Sequence, residues 1–356
     1  MFNQEKNSYK KTRKKRSWMF KMKKTKIKIE DRISGAFTGL YFGSGVNPRF
    51  SPMLTPEKAR ELFSKRKFGD YFSFPFYGKS NQLFDQHTQT KIVYDMLMKF
   101  GKITPELSRD YLMELHKKYD VFKGDVYGPS TQKAITKILA GEDVYEMGKT
   151  GITCGSAMKC LPIAMFFHNN MEALVENTVN TCIISHNTDV TIDAAIACNI
   201  TLASLINGVE KFEAIKKGID AVKKYHGKFG EKTSEPRIDE RIETALKLLK
   251  GKSIEDAEKI IPEKIGVSWF ARETIPGAFA NYIVSNSPED SSLLAMRCGG
   301  DNQTVPEIAC AFLGAEKGPN IFSEEVLKNI EKVNKIKIGK MAGNLLIKLN
   351  IVNLKK

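Results

Sequence analysis

Nowhere in this chain do two cysteines form a CxxC pair, and its five histidines make no HxxxH motif. Both absences argue against a zinc centre. The six cysteines (Cys154, Cys160, Cys182, Cys198, Cys298 and Cys310) are scattered, with no spacing that suggests a disulfide framework. Several fall in apolar helical stretches, where a free cysteine behaves as a small hydrophobe. A reducing, cytoplasmic setting is expected. Long apolar runs are missing too. The stretch "CLPIAMFF" (160–167) is broken by Pro162 and ends at His168, well short of the roughly 18–20 residues a membrane helix needs. No membrane span is expected.

Acidic residues are nearly absent from the first part of the chain. Residues 1–28 hold twelve Lys and Arg against Glu5, so this segment carries +11 of the formal charge of +15. Like charges at that density repel, and a disordered basic tail over 1–28 is the expectation. It has no signal-peptide core. Three readings of it stay open: a solvated tail, a true start at Met22, or a segment that binds nucleic acid or an anionic surface by counterion release. Residues 29–356 are nearly balanced in charge. With 42% apolar residues overall, they can bury one sizeable core, and a monomer is expected.

Strand-like alternation is scarce, and helical periodicity takes its place. "TPELSRDYLMELHKKY" offers Thr104 as an N-cap and Pro105 at the first helical position, with Leu107, Tyr111, Leu115 and Tyr119 recurring every four residues. "GPSTQKAITKILAG" opens at Pro129, places Ile135, Ile138 and Leu139 on one face and stops at Gly141. Ser253 and Asp256 predict a capping box, and Val326, Ile330 and Val333 an amphipathic helix after Ser323. Residues 225–240 read as a long polar connection. The fold class expected is all-α, a single compact multi-helix bundle behind the tail. Two helices rich in small residues, within 189–208 and 304–315, predict a closely packed central pair. The loops opening them, "SHNTD" and "GGDNQ", are suited to hold phosphate or a ribose oxygen at a helix N-terminus.

Six motifs occur in a familiar order: "DRISGAFTGLYFG" (31–43), "YGPST" (127–131), "CGSAMK" (154–159), "ISHNTDVTIDAAIA" (184–197), "ETIPGAF" (273–279) and "GGDNQTVPEIACAFLGA" (299–315). Together they resemble the ADP-ribosylglycohydrolase family, over about residues 31–345. The resemblance implies an all-α bundle that hydrolyses the bond joining ADP-ribose to a protein side chain. It also implies two Mg²⁺ or Mn²⁺ ions in a carboxylate-rich cleft, with ADP-ribose or an ADP-ribosylated protein as partner. Carried over motif by motif, it assigns ligand contacts to Gly155, Ser156, Met158, His186, Gly299 and Gly300. Metal ligation falls to Asp85, His87, Thr88, Asp301 and Thr304, with Asp301 also the catalytic candidate.

The acids depart from the family pattern. In "FDQHTQ" (84–89), Gln86 and His87 stand where the family has paired aspartates. Gln303 replaces the second aspartate of the late motif, and Ser44 and Ser51 take two further acidic places. An amide keeps an oxygen ligand but removes a unit charge, so two adjacent Mg²⁺ ions would lack compensating charge. Asp301 is equally well placed to cap the helix that follows it. Asp85, His87 and Asp301 would alternatively make a mixed N/O site suited to Mn²⁺, Fe²⁺ or Zn²⁺. In the phosphate-binding motif, Thr153 and Cys154 replace Gly and Asn, which raises the question of a conformation with φ > 0. The sequence thus points to a family protein that binds ADP-ribose or a related nucleotide. An active hydrolase with an altered or single metal, and a structural or nucleic-acid-associated protein, remain as alternatives.

Overall fold

The computed structural model describes residues 27–50, 52–70, 81–83, 85–123 and 127–354. The basic tail up to residue 26 and Ser51 lie outside the described residues. Sixteen α-helices account for the described chain, with no sheet among these residues. They are α1 (Ile29–Val46), α2 (Pro56–Phe63), α3 (Asp85–Phe100) and α4 (Pro105–Tyr119). Next come α5 (Pro129–Leu139), α6 (Gly155–Phe166), α7 (Met171–Ile183) and α8 (Asp189–Ile206). The second half holds α9 (Lys211–Tyr225), α10 (Ile238–Leu249), α11 (Ile254–Ile260) and α12 (Ala271–Val284). The chain ends with α13 (Pro288–Cys298), α14 (Thr304–Lys317), α15 (Glu324–Asn334) and α16 (Ile338–Leu354).

Local signals account for many of the helix starts. Thr104 accepts the Leu107 amide ahead of Pro105, Ser323 accepts that of Val326, and Ser253 with Asp256 forms the full capping box. Two apolar faces differ from the expectation. In α4 the buried stripe is Ser108, Leu112 and Leu115, and Tyr119 is half exposed. Steps of four residues overshoot a 3.6-residue turn by about 40° each, so the stripe drifts into solvent. In α5, Thr131, Ala134 and Ile135 are buried while Leu139 is exposed at the helix end.

The closest helix approach is between α1 and α14. Gly35, Gly39 and Gly43 recur every four residues, and a Cβ at each would overlap the backbone of Gly314, Cys310 and Pro306 respectively. The partner of α14 at closest range is therefore α1, a correction to the expected central pair of α8 with α14. α8 does lie at the centre: all eighteen of its residues are buried. By length and composition it is apolar enough to cross a membrane, which corrects the statement that no run approaches that length, yet it is wholly inside the fold. One hydrophobic cluster runs from Ile33 to Leu345, and a smaller one joins α4 and α5 around Leu112, Tyr127 and Ile135.

Candidate functional site

A cleft of about 830 Å³ opens where the starts of α3, α5, α6 and α14 converge. That volume lies within the roughly 300–1,000 Å³ of small-molecule sites. Its walls include Asp85 from α3, Gly128 to Gln132 at the start of α5, Thr153 to Gly155 and Met158 at the start of α6, and Asp301 to Thr304 before α14. Arg49, Phe50 and Trp269 complete the rim. Trp269 is 47% exposed, although its backbone is fixed: the Cys154 amide donates to its carbonyl at 2.9 Å, and Thr153 bridges to Phe270.

Neither α5 nor α6 has a side-chain cap at its N-terminus, and both starts face the cleft. Their positive dipole ends suit an anion, although Pro129 brings no N–H and the Thr131, Gln132 and Ala157 amides turn back to the Gly128 and Cys154 carbonyls. Thr153 and Cys154 keep negative φ, since the non-glycine residues with positive φ among those described are Asn81, Asp120 and Lys335. Losing the family's first glycine therefore strains nothing here. The start of α8 is different. The Asp189 amide donates to the Glu231 carbonyl, and the Asp189 carboxylate accepts from the Thr233 backbone and hydroxyl. The 226–237 connection thus plugs the "SHNTD" mouth, and the expected ligand site at that helix start is corrected. From that loop only His186 lines the cleft.

The acids of the cleft are already partnered. Asp301 Oδ1 accepts the Thr304 amide at 3.0 Å, the cap that its position suggested. Its Oδ2 accepts from Cys154 Sγ at 3.3 Å, while the Thr274 hydroxyl, 3.5 Å away, donates to the Ser268 carbonyl at 2.6 Å. Asp85 pairs with the Arg49 guanidinium at 3.5 Å and accepts from Gln89 Nε2 at 3.4 Å. Burial pushes the Asp85 carboxyl up to about 6, opposed by Arg49 and reinforced by Asp301. Burial, with Asp301 beside it, also lifts the Cys154 thiol well above its ordinary range, so it is no ready thiolate.

One turn below Thr304 lies an acid that sequence reasoning passed over. Glu307 is fully buried, and neither carboxylate oxygen has a hydrogen-bond partner among the described residues. Burial first, then Asp301 and Asp85, holds its pKa well above the ordinary carboxylate range and so favours its protonated form. A lone glutamate inside the apolar run "TVPEIACAFLGA" was the signal available.

Of the residues assigned from sequence, Asp85, Gly155, Met158, His186, Asp301 and Thr304 share the cleft wall. Five others are placed elsewhere. Ser156 is fully buried and donates to the Thr191 carbonyl. Thr88 Oγ1 donates to the Asp85 carbonyl, behind Tyr127. The His87 ring packs edge-on against Tyr41 at 5.2 Å, and burial lowers its pKa to about 4. Gly299 and Gly300 need glycine for a different reason than ligand approach: φ of 75° and 65°, with a Cβ at 300 overlapping the Val267 carbonyl. The loop is pinned there by Gly300 N–H to Leu54 and Asp301 N–H to Val267.

These donors do not fit a pair of divalent ions. Among the described residues, no three His, Cys, Asp or Glu side chains are grouped to hold a metal. Each Asp301 oxygen already accepts from one protein donor, and Asp85 has a cation against it. The mixed site of Asp85, His87 and Asp301 is not assembled either, because His87 turns to Tyr41.

The chain belongs to the ADP-ribosylglycohydrolase family, whose sequence model matches residues 25–352. Members of that family are typically metal-dependent. Among curated proteins, the chain is 23% identical over 253 residues to the uncharacterized protein YegU of Escherichia coli K12, covering 70% of this chain and 75% of that protein. It is 22% identical over 290 residues to an uncharacterized protein of Archaeoglobus fulgidus, covering 81% of this chain and 88% of that one. A solved structure titled "ADP-ribosylglycohydrolase-related protein complex" matches with a TM-score of 0.62 at 18% identity, over 90% of this chain and 99% of that one. At that identity the likeness supports the fold.

Proposed function

We propose that this chain binds ADP-ribose, or a closely related adenine nucleotide, in the cleft without a two-ion centre and without appreciable hydrolysis. The observation that carries the reading is Arg49 against Asp85. A fixed guanidinium faces an acid at the rim of the cleft, where the family's chemistry calls for divalent cations. In the same cleft, the starts of α5 and α6, which lack side-chain caps, suit the pyrophosphate, and Trp269 offers an aromatic face for a base. A cytoplasmic location accords with six unpaired, buried cysteines.

Calorimetric titration with ADP-ribose tests this in EDTA and again in Mg²⁺ or Mn²⁺, alongside incubation with ADP-ribosyl-arginine and ADP-ribosyl-serine peptides. Binding unchanged by EDTA, with no turnover, is expected. Turnover abolished by Asp301→Ala would overturn the reading in favour of an active hydrolase with an altered or single metal. The nucleic-acid reading of the tail is tested separately, by DNA binding of the full chain and of a chain starting at Met22 across a salt series. Equal salt dependence of the two would dispose of it.

A further inference from the structure

Behind the α5–α6 wall runs a continuous series of hydrogen bonds. Lys159 Nζ donates to Ser185 Oγ at 2.8 Å, and Ser185 Oγ lies 2.7 Å from His186 Nδ1. His186 Nε2 lies 2.9 Å from Thr153 Oγ1, which is 3.1 Å from Ser130 Oγ. The inner end is sealed, with Lys159, Ser185 and His186 at 5%, 3% and 1% exposure. The outer end, Thr153 and Ser130, lines the cleft.

The inner end dictates the direction of the protons. An ammonium has donors only, so Ser185 Oγ accepts from Lys159. The buried Ser185 hydroxyl must then place its own proton, and His186 Nδ1 is its acceptor among the described residues. A neutral ring that accepts at Nδ1 carries its proton on Nε2. Burial and the Lys159 charge both hold His186 in the neutral form. Nε2–H therefore donates to Thr153 Oγ1, and the Thr153 proton is directed onward, to Ser130 or to a ligand atom.

Lys159 itself is an expense to the fold. Burial lowers its pKa, and the groups that oppose this are the thiols of Cys182 and Cys160 rather than any carboxylate. A cavity of about 30 Å³ beside it is walled partly by Gln89, Ser108, Thr131 and Thr181, polar but uncharged. A buried ammonium without a counter-charge is strongly unfavourable. An anion held at the starts of α5 and α6 would supply that counter-charge.

We propose that Lys159 is a positioning residue: through Ser185 and His186 it locks the Thr153 hydroxyl as a donor into the cleft, so that the group seated there must be an anionic acceptor such as a phosphoryl oxygen. The choice of ADP-ribose as probe rests on the proposed function; the tautomer does not. Nitrogen-15 correlation spectra of the ligand-free protein should show His186 protonated on Nε2, and a ring protonated on Nδ1 would overturn the proposal. Lys159→Met and Ser185→Ala should each mix the two tautomers and weaken ADP-ribose binding in EDTA roughly tenfold. An unchanged tautomer in both would count against it. Should the core variants fail to fold, the part-exposed Thr153 decides. Thr153→Val should bind roughly tenfold more weakly while Thr153→Ser stays near the parent, and a valine variant as tight as the parent would sink the idea. A parent protein that ignores ADP-ribose would defeat the ligand reading, and the tautomers of the parent and Ser185→Ala would still judge this one.

Discussion

The two walls of the cleft follow opposite electrostatic plans. On the α5–α6 wall, a buried cation stands behind a chain of hydroxyls and one imidazole, and two uncapped helix starts face the opening. On the α3–α14 wall stand acids. Asp85 faces Arg49, Asp301 is bound into the start of α14, and Glu307 is buried beneath them with its pKa raised by burial. The first wall carries no acid of its own and presents two helix starts to an anion, although Asp301 reaches it through Cys154 and Asp85 through the Gly128 amide. The second has two acids already held by protein donors, Asp301 and Asp85, above a third, Glu307, that has no hydrogen-bond partner among the described residues.

The sharpest way to probe the second wall is through its hidden acid. Glu307 has a folded pKa raised above the unfolded value, so its favourable contribution is complete below about pH 4.5 and is lost as pH rises toward the folded pKa. Each pH unit in that window costs up to about 1.4 kcal/mol. Glu307→Gln removes the titration while keeping the shape. Its thermal midpoint should match the parent at pH 4 and exceed it by several degrees at pH 8. A gain that is flat with pH would mean that Glu307 is charged and paired, and that the wall retains a working acid.

Arg49→Met attacks the neutralised pair. Removing the guanidinium leaves Asp85 buried with Asp301 as its charged neighbour, so the Asp85 carboxyl should rise above its present value of about 6. Loss of a charged hydrogen bond at this half-buried position should cost about 1.5–3 kcal/mol of stability at pH 7. Denaturant titration measures it. The same variant should acquire a stabilisation by Mn²⁺ that the parent lacks, because a cation would then have Asp85 to itself. If the parent is stabilised equally by Mn²⁺, the two walls are not as different as the geometry indicates.

How much of this was legible beforehand depended on distance along the chain. Caps at Thr104, Ser253 and Ser323 are local, and a few residues specify each. The all-α class followed from periodicity in the same way. The α1–α14 seam was written as glycines at 35, 39 and 43, but its meaning depends on a helix far away in sequence. At the site, the motifs brought Asp85, Gly155, Met158, His186, Asp301 and Thr304 to one cleft. They failed at His87, because residues two apart on a helix point about 200° apart, so a wall position for Asp85 turns His87 away. Arg49 and Trp269 lie in connections whose course no local rule predicts. The wiring from Lys159 through Ser185, His186 and Thr153 to Ser130 joins three segments, and only the fold brings them together.

Asp301 gives the smallest effect and the closest discrimination, since its two roles make different demands on the side chain. As a helix cap it needs one oxygen that accepts the Thr304 amide, and an asparagine oxygen serves. As a metal ligand it needs the negative charge, which asparagine lacks. Asp301→Ala should therefore lose about 1 kcal/mol of stability, while Asp301→Asn should stay within about 0.5 kcal/mol of the parent. Both substitutions remove a charge near Asp85 and Glu307, which eases the ionisation of those two acids and partly offsets the lost cap in the alanine variant. ADP-ribose affinity measured in EDTA should be the same for Asp301→Asn as for the parent, because the anion is held by the other wall. If the asparagine variant instead lost binding only when Mg²⁺ or Mn²⁺ was present in the parent measurement, Asp301 would be acting through an ion, and the contrast between the walls would collapse at the residue that both readings share.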